Sequence, residues 1–510
     1  MIKKYFNLVI TMITLSMIGI VQCSAQNYAG KIREPAFAGQ FYPADSSKLS
    51  KSIQYFLEAA DTIKTDKPIA LIAPHAGYVF AGQIMADAYN QARNYNYDLV
   101  IILGTNHTTA GFYKIGVYPG SSFETPLGKS EIDTALSQSL VESNSDCMFN
   151  EEVHAKEHSI EVQLPFIQYL FPNAKILPVV IGNPDYEMCV RFGKSLASFI
   201  KDKNALIIAS SDLSHYPDYE DAVNIDRNTL DAAASLDTRR LKDLIENQMG
   251  QGIDNLATCA CGEGPILAAM SAANELGTSS GSVVSYANSG NSLIGNKKKV
   301  VGYGAVIFSL SNTRNKTIIQ DKNSENLKFE LNDSDKKALL KFARITIRQY
   351  LETETLPLAR GFKPMLYKNL GAFVTLRINS ELRGCIGYMR EDMPLCEVVG
   401  TMAIQSAFND LRFYPLTLDE FHKCEIEISV LTPAKPINNY TEIVLGKDGV
   451  IIKKNGKQAV FLPQVAAEMN WSREELLENL CRKAGLLPDD WKDAQLLTFQ
   501  AEVFEEPQFK

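Results

Sequence analysis

Apolar and polar positions along the chain fall into two rhythms. Between residues 69 and 310, short runs of β-forming residues recur: PIALIAP, DLVIILG, KILPVVIG, NALIIASS and VGYGAVIFSL. Most are continuously apolar rather than alternating, as in strands buried on both faces. Between them, segments such as AGQIMADAYNQARN and CVRFGKSLASFIKDK carry apolar residues at helical spacing. Strands separated by helices predict a largely parallel sheet covered on both faces. Residues 311–330, SNTRNKTIIQDKNSENLKFE, then break the pattern: they are polar, nearly without large apolar side chains, and read as a linker. Beyond them, LNDSDKKALLKFARITIRQYLE opens with a capping cluster and continues as an amphipathic helix. The remainder mixes strands (AFVTLRI, CEIEISVL, GVIIKK, AVFLP) with a late helix around SREELLENLCRKAGL. The expected fold class is α/β: an N-terminal, mostly parallel sheet with helices on both faces, followed by a C-terminal α+β domain.

The N-terminus stands apart. MIKKYFNLVITMITLSMIGIVQCSAQ has two lysines, an apolar stretch and then small residues, the build of a secretory signal. Two endings are open, cleavage after Ala25 or lipidation at Cys23, and both imply export to the periplasm or the extracellular space. The expected organisation is thus residues 1–25 as leader, 27–310 as first domain, 311–330 as linker and 331–510 as second domain. No later apolar run approaches the roughly 20 residues needed to span a bilayer. A net charge of -8, with no dense Lys/Arg stripe, argues against nucleic acid as a partner. Neither GxxxxGK[ST] nor a strand-linked GxGxxG is present, so there is no nucleotide cradle. The eight cysteines after Cys23 are sparse and mostly sit inside apolar runs, as Cys424 does in FHKCEIEISVL. Buried free thiols are expected for most of them.

Candidate chemistry enters with the histidines. The chain has six, and five lie between His75 and His215. Three follow strand-like runs: ALIAP-His75, VIILGTN-His107 and LIIASSDLS-His215. In open α/β sheets, ligands bind beyond the carboxyl ends of the strands, so neighbouring strands would bring these three rings to one edge. His154 and His158 lie together in EEVHAKEHSIEVQLPF. Neutral imidazole is the commonest metal ligand, and a carboxylate or carbonyl normally orients its second nitrogen. Asp212, Glu157 and Glu161 are near enough in sequence to His215 and His158 to take that part. In TCACGEGP, Cys261-Gly262 would place a thiolate at a tight turn. Two His and one Cys with an open position suit zinc or iron. A strained Cys259–Cys261 disulfide is the alternative.

These motifs carry a family resemblance. REPAFAGQFYP, APHAGYVFAG, ILGTNH, EHSIEVQLPF, SSDLSHY and CGEGP, in this order, resemble the Memo-like family over about residues 32 to 310. That family is similar to the class III extradiol dioxygenases, which bind non-haem iron at the ends of α/β strands. The resemblance implies metal ligands at His75, His107 and Cys261, and active-site neighbours at His215 and Asp212, with Asp212 orienting His215 as the acid/base. Fe(II) is the implied metal, with zinc or copper as alternatives, and the implied activity is redox chemistry on a small molecule or peptide. A zinc hydrolase or a non-catalytic scaffold uses the same ligands. Thr108 departs from the family pattern, which often has a second histidine there. A cysteine also replaces the carboxylate ligand of the ring-cleaving dioxygenases.

The C-terminal half resembles the AMMECR domain family over about residues 331 to 510, through ELRGCIGYMR, NDLRFYPLTLDEF, EIEISVLTP and LCRKAGL. Its most recurrent segment falls on Arg383 to Gly387, implying a pocket with Arg383 and Cys385 as candidates. Cys385 reads either as a buried thiol or as a reactive one whose pKa Arg383 lowers. The two families occur together in the AmmeMemoRadiSam set, which implies a radical-SAM protein as partner. No CxxxCxxC motif places that component in this chain.

Overall fold

The computed structural model describes residues 30–310 and 330–509. The expected leader (1–25), and the expected linker apart from Glu330, lie outside the described residues. An eight-stranded sheet organises the first domain. Its strands are β1 (Pro68–Ala73), β2 (Leu99–Thr105), β3 (Ile115–Val117), β4 (Cys147–Phe149), β5 (Lys175–Ile181), β6 (Ala205–Ser210), β7 (Gly281–Asn288) and β8 (Gly302–Ser309). Their order across the sheet is β7-β8-β1-β6-β2-β5-β3-β4. The four central strands β1, β6, β2 and β5 are mutually parallel. On one side β7 and β8 add antiparallel; on the other, β3 pairs antiparallel with β5 and parallel with β4.

Why the central runs are continuously apolar is now visible. On β2, Leu99, Ile101 and Leu103 enter one core while Val100 and Ile102 enter the other, so both faces are buried. One core packs under helices α3 (Tyr186–Ile200), α4 (Tyr219–Ala234) and α5 (Glu263–Glu275). The opposite core packs under α1 (Ser46–Glu58) and α2 (Tyr78–Asn90). The five strand segments and two helices read from the pattern are all present. β7, with the sequence GSVVSYAN, went unread because it is an edge strand, buried only in part, and lacks a continuous apolar run.

The second domain contains two antiparallel four-stranded sheets. One is ordered Glu381–Tyr388, Ala372–Ile378, Cys424–Leu431, Ala501–Glu505; the other Lys435–Ile437, Gln495–Phe499, Gly449–Lys454, Lys457–Phe461. Helix α6 (Asp333–Thr353) begins at a capping box in which the Asn332 and Asp335 side chains each accept the other's backbone N–H. It packs Leu339, Leu340, Ala343 and Ile347 against α7 (Leu395–Phe408) and the first sheet. Gly485, at φ +69°, ends the late helix Arg473–Ala484 in the left-handed conformation glycine adopts without strain.

The two domains interlock. Arg360 reaches into the first domain and donates to both oxygens of Asp87 at 2.6 and 2.8 Å, and to the Ala59 carbonyl at 2.5 Å. The Asp87 carboxylate has no exposed surface. Beside this pair, Leu293 of the first domain joins Phe342, Leu356 and Ile404 in a small shared core. Lys51 and Tyr55 of α1 meet Glu352 of α6. No helix among the described residues is long and apolar enough to cross a membrane.

Candidate metal centre

Because β1, β6 and β2 are adjacent in the sheet, the segments that leave their carboxyl ends gather at one edge. Hydrogen-bonded strands run about 5 Å apart, so side chains from all three can meet. His75 sits in the turn between β1 and α2. Asp212, just past β6, holds that turn: its Oδ1 accepts from the backbone N–H of His75 at 2.8 Å and of Ala76 at 3.2 Å. His107 follows β2 and is held by Glu157, whose two oxygens take its backbone N–H at 2.8 Å and its ring Nδ1 at 2.9 Å. Glu157 also accepts from Ser159 N and so caps the helical turn His158–Glu161. That turn packs directly on the end of β2, where a side chain on Gly104 would sit 2.5 Å from Ser159 Oγ.

Cys261 arrives from the turn before α5. A Cβ on Gly262 would fall 2.5 Å from the Ser210 carbonyl, so glycine is what lets this turn approach β6. The Cys261 Sγ then lies 3.1 Å from His75 Nε2. One nitrogen from His75, one from His107 and the Cys261 sulfur all lie within 4.8 Å of one another. The far nitrogen of each imidazole is engaged: His75 Nδ1 contacts Ser210 Oγ at 3.1 Å, and His107 Nδ1 contacts Glu157. Outer partners of this kind fix ring orientation in metal sites.

His158 joins the cluster, its ring stacked on that of His107 with centroids 4.5 Å apart. The neighbouring His154 goes elsewhere. Its buried ring meets the Gly116 carbonyl at 3.0 Å and packs beside Tyr118 and Phe123. His215 is tied through its backbone to Thr258, three residues before Cys261. Its Nε2 is buried without a hydrogen-bond partner. No hydrogen bond joins Asp212 to His215 among the described residues, although a carboxylate oxygen of Asp212, a ring nitrogen of His215 and the Cys261 sulfur lie within 4.8 Å of one another; the Asp212 bonds hold the His75 turn. Glu161 also differs from expectation. It accepts from Arg33, from the Ala36 and Phe37 backbone N–H groups and from Tyr42 OH. It thereby anchors the segment whose Phe37 and Phe41 rings pack on His158. Sequence reading had not placed these two aromatics at the site, although REPAFAGQFYP was among the quoted motifs.

Burial dominates the electrostatics. It pulls His158 and His215 down to about 4 and His75 well below its ordinary value, so these three imidazoles are neutral near pH 7. It lifts Asp212 to about 7 and raises the Cys261 thiol well above the usual range. All eight described cysteines are free, including Cys259, and only Cys261 and Cys385 keep appreciable open surface.

A family model described as Memo-like protein matches residues 33–307, more than half the chain. This chain belongs to the Memo-like family. A second model, described as AMMECR1, matches residues 340–504, so the protein joins the two. MEMO1 family proteins of Methanosarcina mazei and Aquifex aeolicus are each 37% identical, over 54% of this chain and 99% of the relative. An uncharacterized protein from Pyrococcus horikoshii with a solved structure is 38% identical, covering 35% of this chain and 94% of its own, at a TM-score of 0.32.

In the second domain, Arg383 and Cys385 do not form a pair. Arg383 sits where the register between Ala372–Ile378 and Glu381–Tyr388 shifts, a bulge that re-aims its side chain. It donates to Glu420 at 2.9 and 3.0 Å. Cys385 receives the Thr375 hydroxyl at 3.3 Å, and its carbonyl accepts from Arg412.

Proposed function

We propose that His75, His107 and Cys261 hold a single Fe(II) ion, and that the chain is a non-haem iron oxidoreductase acting on a small molecule or peptide. One observation carries the reading: three donor atoms lie within 4.8 Å of one another, and both imidazoles have their far nitrogens engaged. The donor chemistry fits. Burial disfavours the charged form of the His75 imidazole, as ligation requires, and a cation would favour the thiolate that burial disfavours. Bound there, iron would supply one-electron chemistry and an open position for substrate or dioxygen.

The chain's own residues would do the rest. Glu157 and Ser210 hold the two ligand rings in place. Asp212 fixes the turn that carries His75. His215, with an unpartnered Nε2, would take or give a proton. Phe37 and Phe41 shield the His158 side from water. Zinc is the second reading, because a thiolate with two imidazoles and an open position is also a catalytic zinc set; it would lower a bound water's pKa from 15.7 to about 7. Copper is compatible with the same donors.

The test is metal analysis of protein purified without oxygen, beside His75→Ala and His107→Ala, followed by oxygen-electrode screening. Near-stoichiometric iron lost in both variants, with oxygen uptake that needs His107, is the expected result. Zinc with turnover indifferent to oxygen would move the assignment to hydrolysis. Metal without turnover would make the domain a scaffold, and wild-type protein without metal would sink the proposal.

A further inference from the structure

Among the described residues, His215 is hydrogen-bonded through its backbone alone, and its ring Nε2 is buried without a partner. Where the ring sits in the cleft is therefore set by the segment that carries it. That segment is bonded on two sides. On one, His215 N donates to the Thr258 carbonyl and the His215 carbonyl accepts from Ala257 N, both at 3.0 Å. On the other, it runs antiparallel to the end of the loop that joins β7 to β8, residues 289–301. Tyr216 N donates to the Val300 carbonyl at 2.7 Å and Tyr219 N to the Lys297 carbonyl at 3.0 Å. In return, the Ser214 and Pro217 carbonyls accept from Gly302 N and Val300 N at 2.9 Å. Tyr216 shows how firm this second side is. Its φ is +73°, a region that bulky side chains avoid. Such a conformation persists only where its surroundings over-determine it, and the bond to Val300 is part of that hold.

The loop leads directly to the second domain. Gly295 closes it so tightly that a Cβ there would fall 2.0 Å from the Ser289 carbonyl. Just before this turn, Leu293 is buried with Phe342, Leu356 and Ile404, and its carbonyl accepts from Thr401 Oγ1 at 2.9 Å. Just after it, Lys297 Nζ donates to Glu397 at 3.2 Å. Glu397, Thr401 and Ile404 are spaced four and three residues apart on α7, so a single face of that helix takes the loop. A Cβ on Gly400 would lie 2.8 Å from Leu293 Cδ1, so this glycine makes room for the leucine.

We infer that α7 of the second domain positions His215: the helix clamps the loop, and the loop holds the backbone that places the ring. Glu397, Thr401 and Ile404 are positioning residues that act through the loop. The first domain's cleft is then complete only while the second domain is docked on it. The proton role of His215 rests on the function proposed above, whereas its placement needs no metal. Contact paths become coupling only when a change at one end moves the other.

NMR of the metal-free full chain, labelled at histidine Cε1, reads that movement, with the His215 signal assigned by its loss in His215→Gln. Thr401→Val removes the hydroxyl that holds the Leu293 carbonyl. Leu293→Ala removes the wedge and leaves a cavity beside α7. Both should displace the His215 signal, Leu293→Ala further. The signal of His154, whose ring packs beside Tyr118 and Phe123, should stay in place. A His215 signal unmoved by Leu293→Ala, or a His154 signal displaced as far as that of His215, would overturn the inference. Should Leu293→Ala not fold, Thr401→Val decides alone. Because no metal is present, failure of the iron reading would leave this result standing.

Discussion

The cleft of the first domain and the ion-pair cluster of the second each gather polar side chains, by opposite means. In the first, parallel strands end side by side and their loops deliver groups that burial holds uncharged, the His75 and His215 imidazoles and the Cys261 thiol, beside the Glu157 carboxylate. In the second, a strand, a turn and a short helix deliver charges that are already paired, Arg383 with Glu420 and Arg412 with Asp410. One region gathers groups that burial holds uncharged and the other gathers matched ion pairs, so a count of formal charges would misjudge both.

The two partly open cysteines give the widest separation. Cys261→Ser should abolish stoichiometric metal, while Cys385→Ser should leave metal content unchanged, both read by elemental analysis of the purified full chain. Equal losses would dissolve the contrast. Glu157→Ala comes next: without the carboxylate that orients His107, metal affinity should fall about 10- to 100-fold, measured by chelator competition on a variant whose circular dichroism matches wild type. The smallest effect belongs to the second domain's backbone. A Cβ on Gly384 would lie 2.2 Å from the Ser406 carbonyl, so Gly384→Ala should cost about 1–3 kcal/mol in urea unfolding through overpacking. Its metal content should not change. A metal loss in that variant would tie the two regions together.

Much of this was legible in the chain. Continuous apolar runs gave away the central strands, and a histidine after each of three runs marked the edge where they end. The convergence of His158 was not legible from spacing, because it enters on a short helical turn whose direction depends on Glu157 and Ser159 bonding to the β2 end. Asp212 shows a second limit. It is three residues from His215, yet its carboxylate turns to backbone N–H groups of another strand's loop, and proximity in sequence says nothing of such a choice. Arg383 shows a third, since alternation places it on the face of Cys385 and only the bulge, a feature of pairing, sends it to Glu420.

The Arg360–Asp87 contact carries a consequence for how such chains are inherited. A first-domain carboxylate has no exposed surface in the full chain, and its arginine counterion belongs to the other domain. Removing one partner of a buried ion pair typically costs about 3–5 kcal/mol. The first domain, cut free at the linker, would keep the carboxylate and lose both its arginine and the cover that arginine gives. Fusion is therefore written into the contact between the domains as well as into the covalent chain. A descendant that split the two halves into separate polypeptides would have to replace Asp87 or supply a new cation for it.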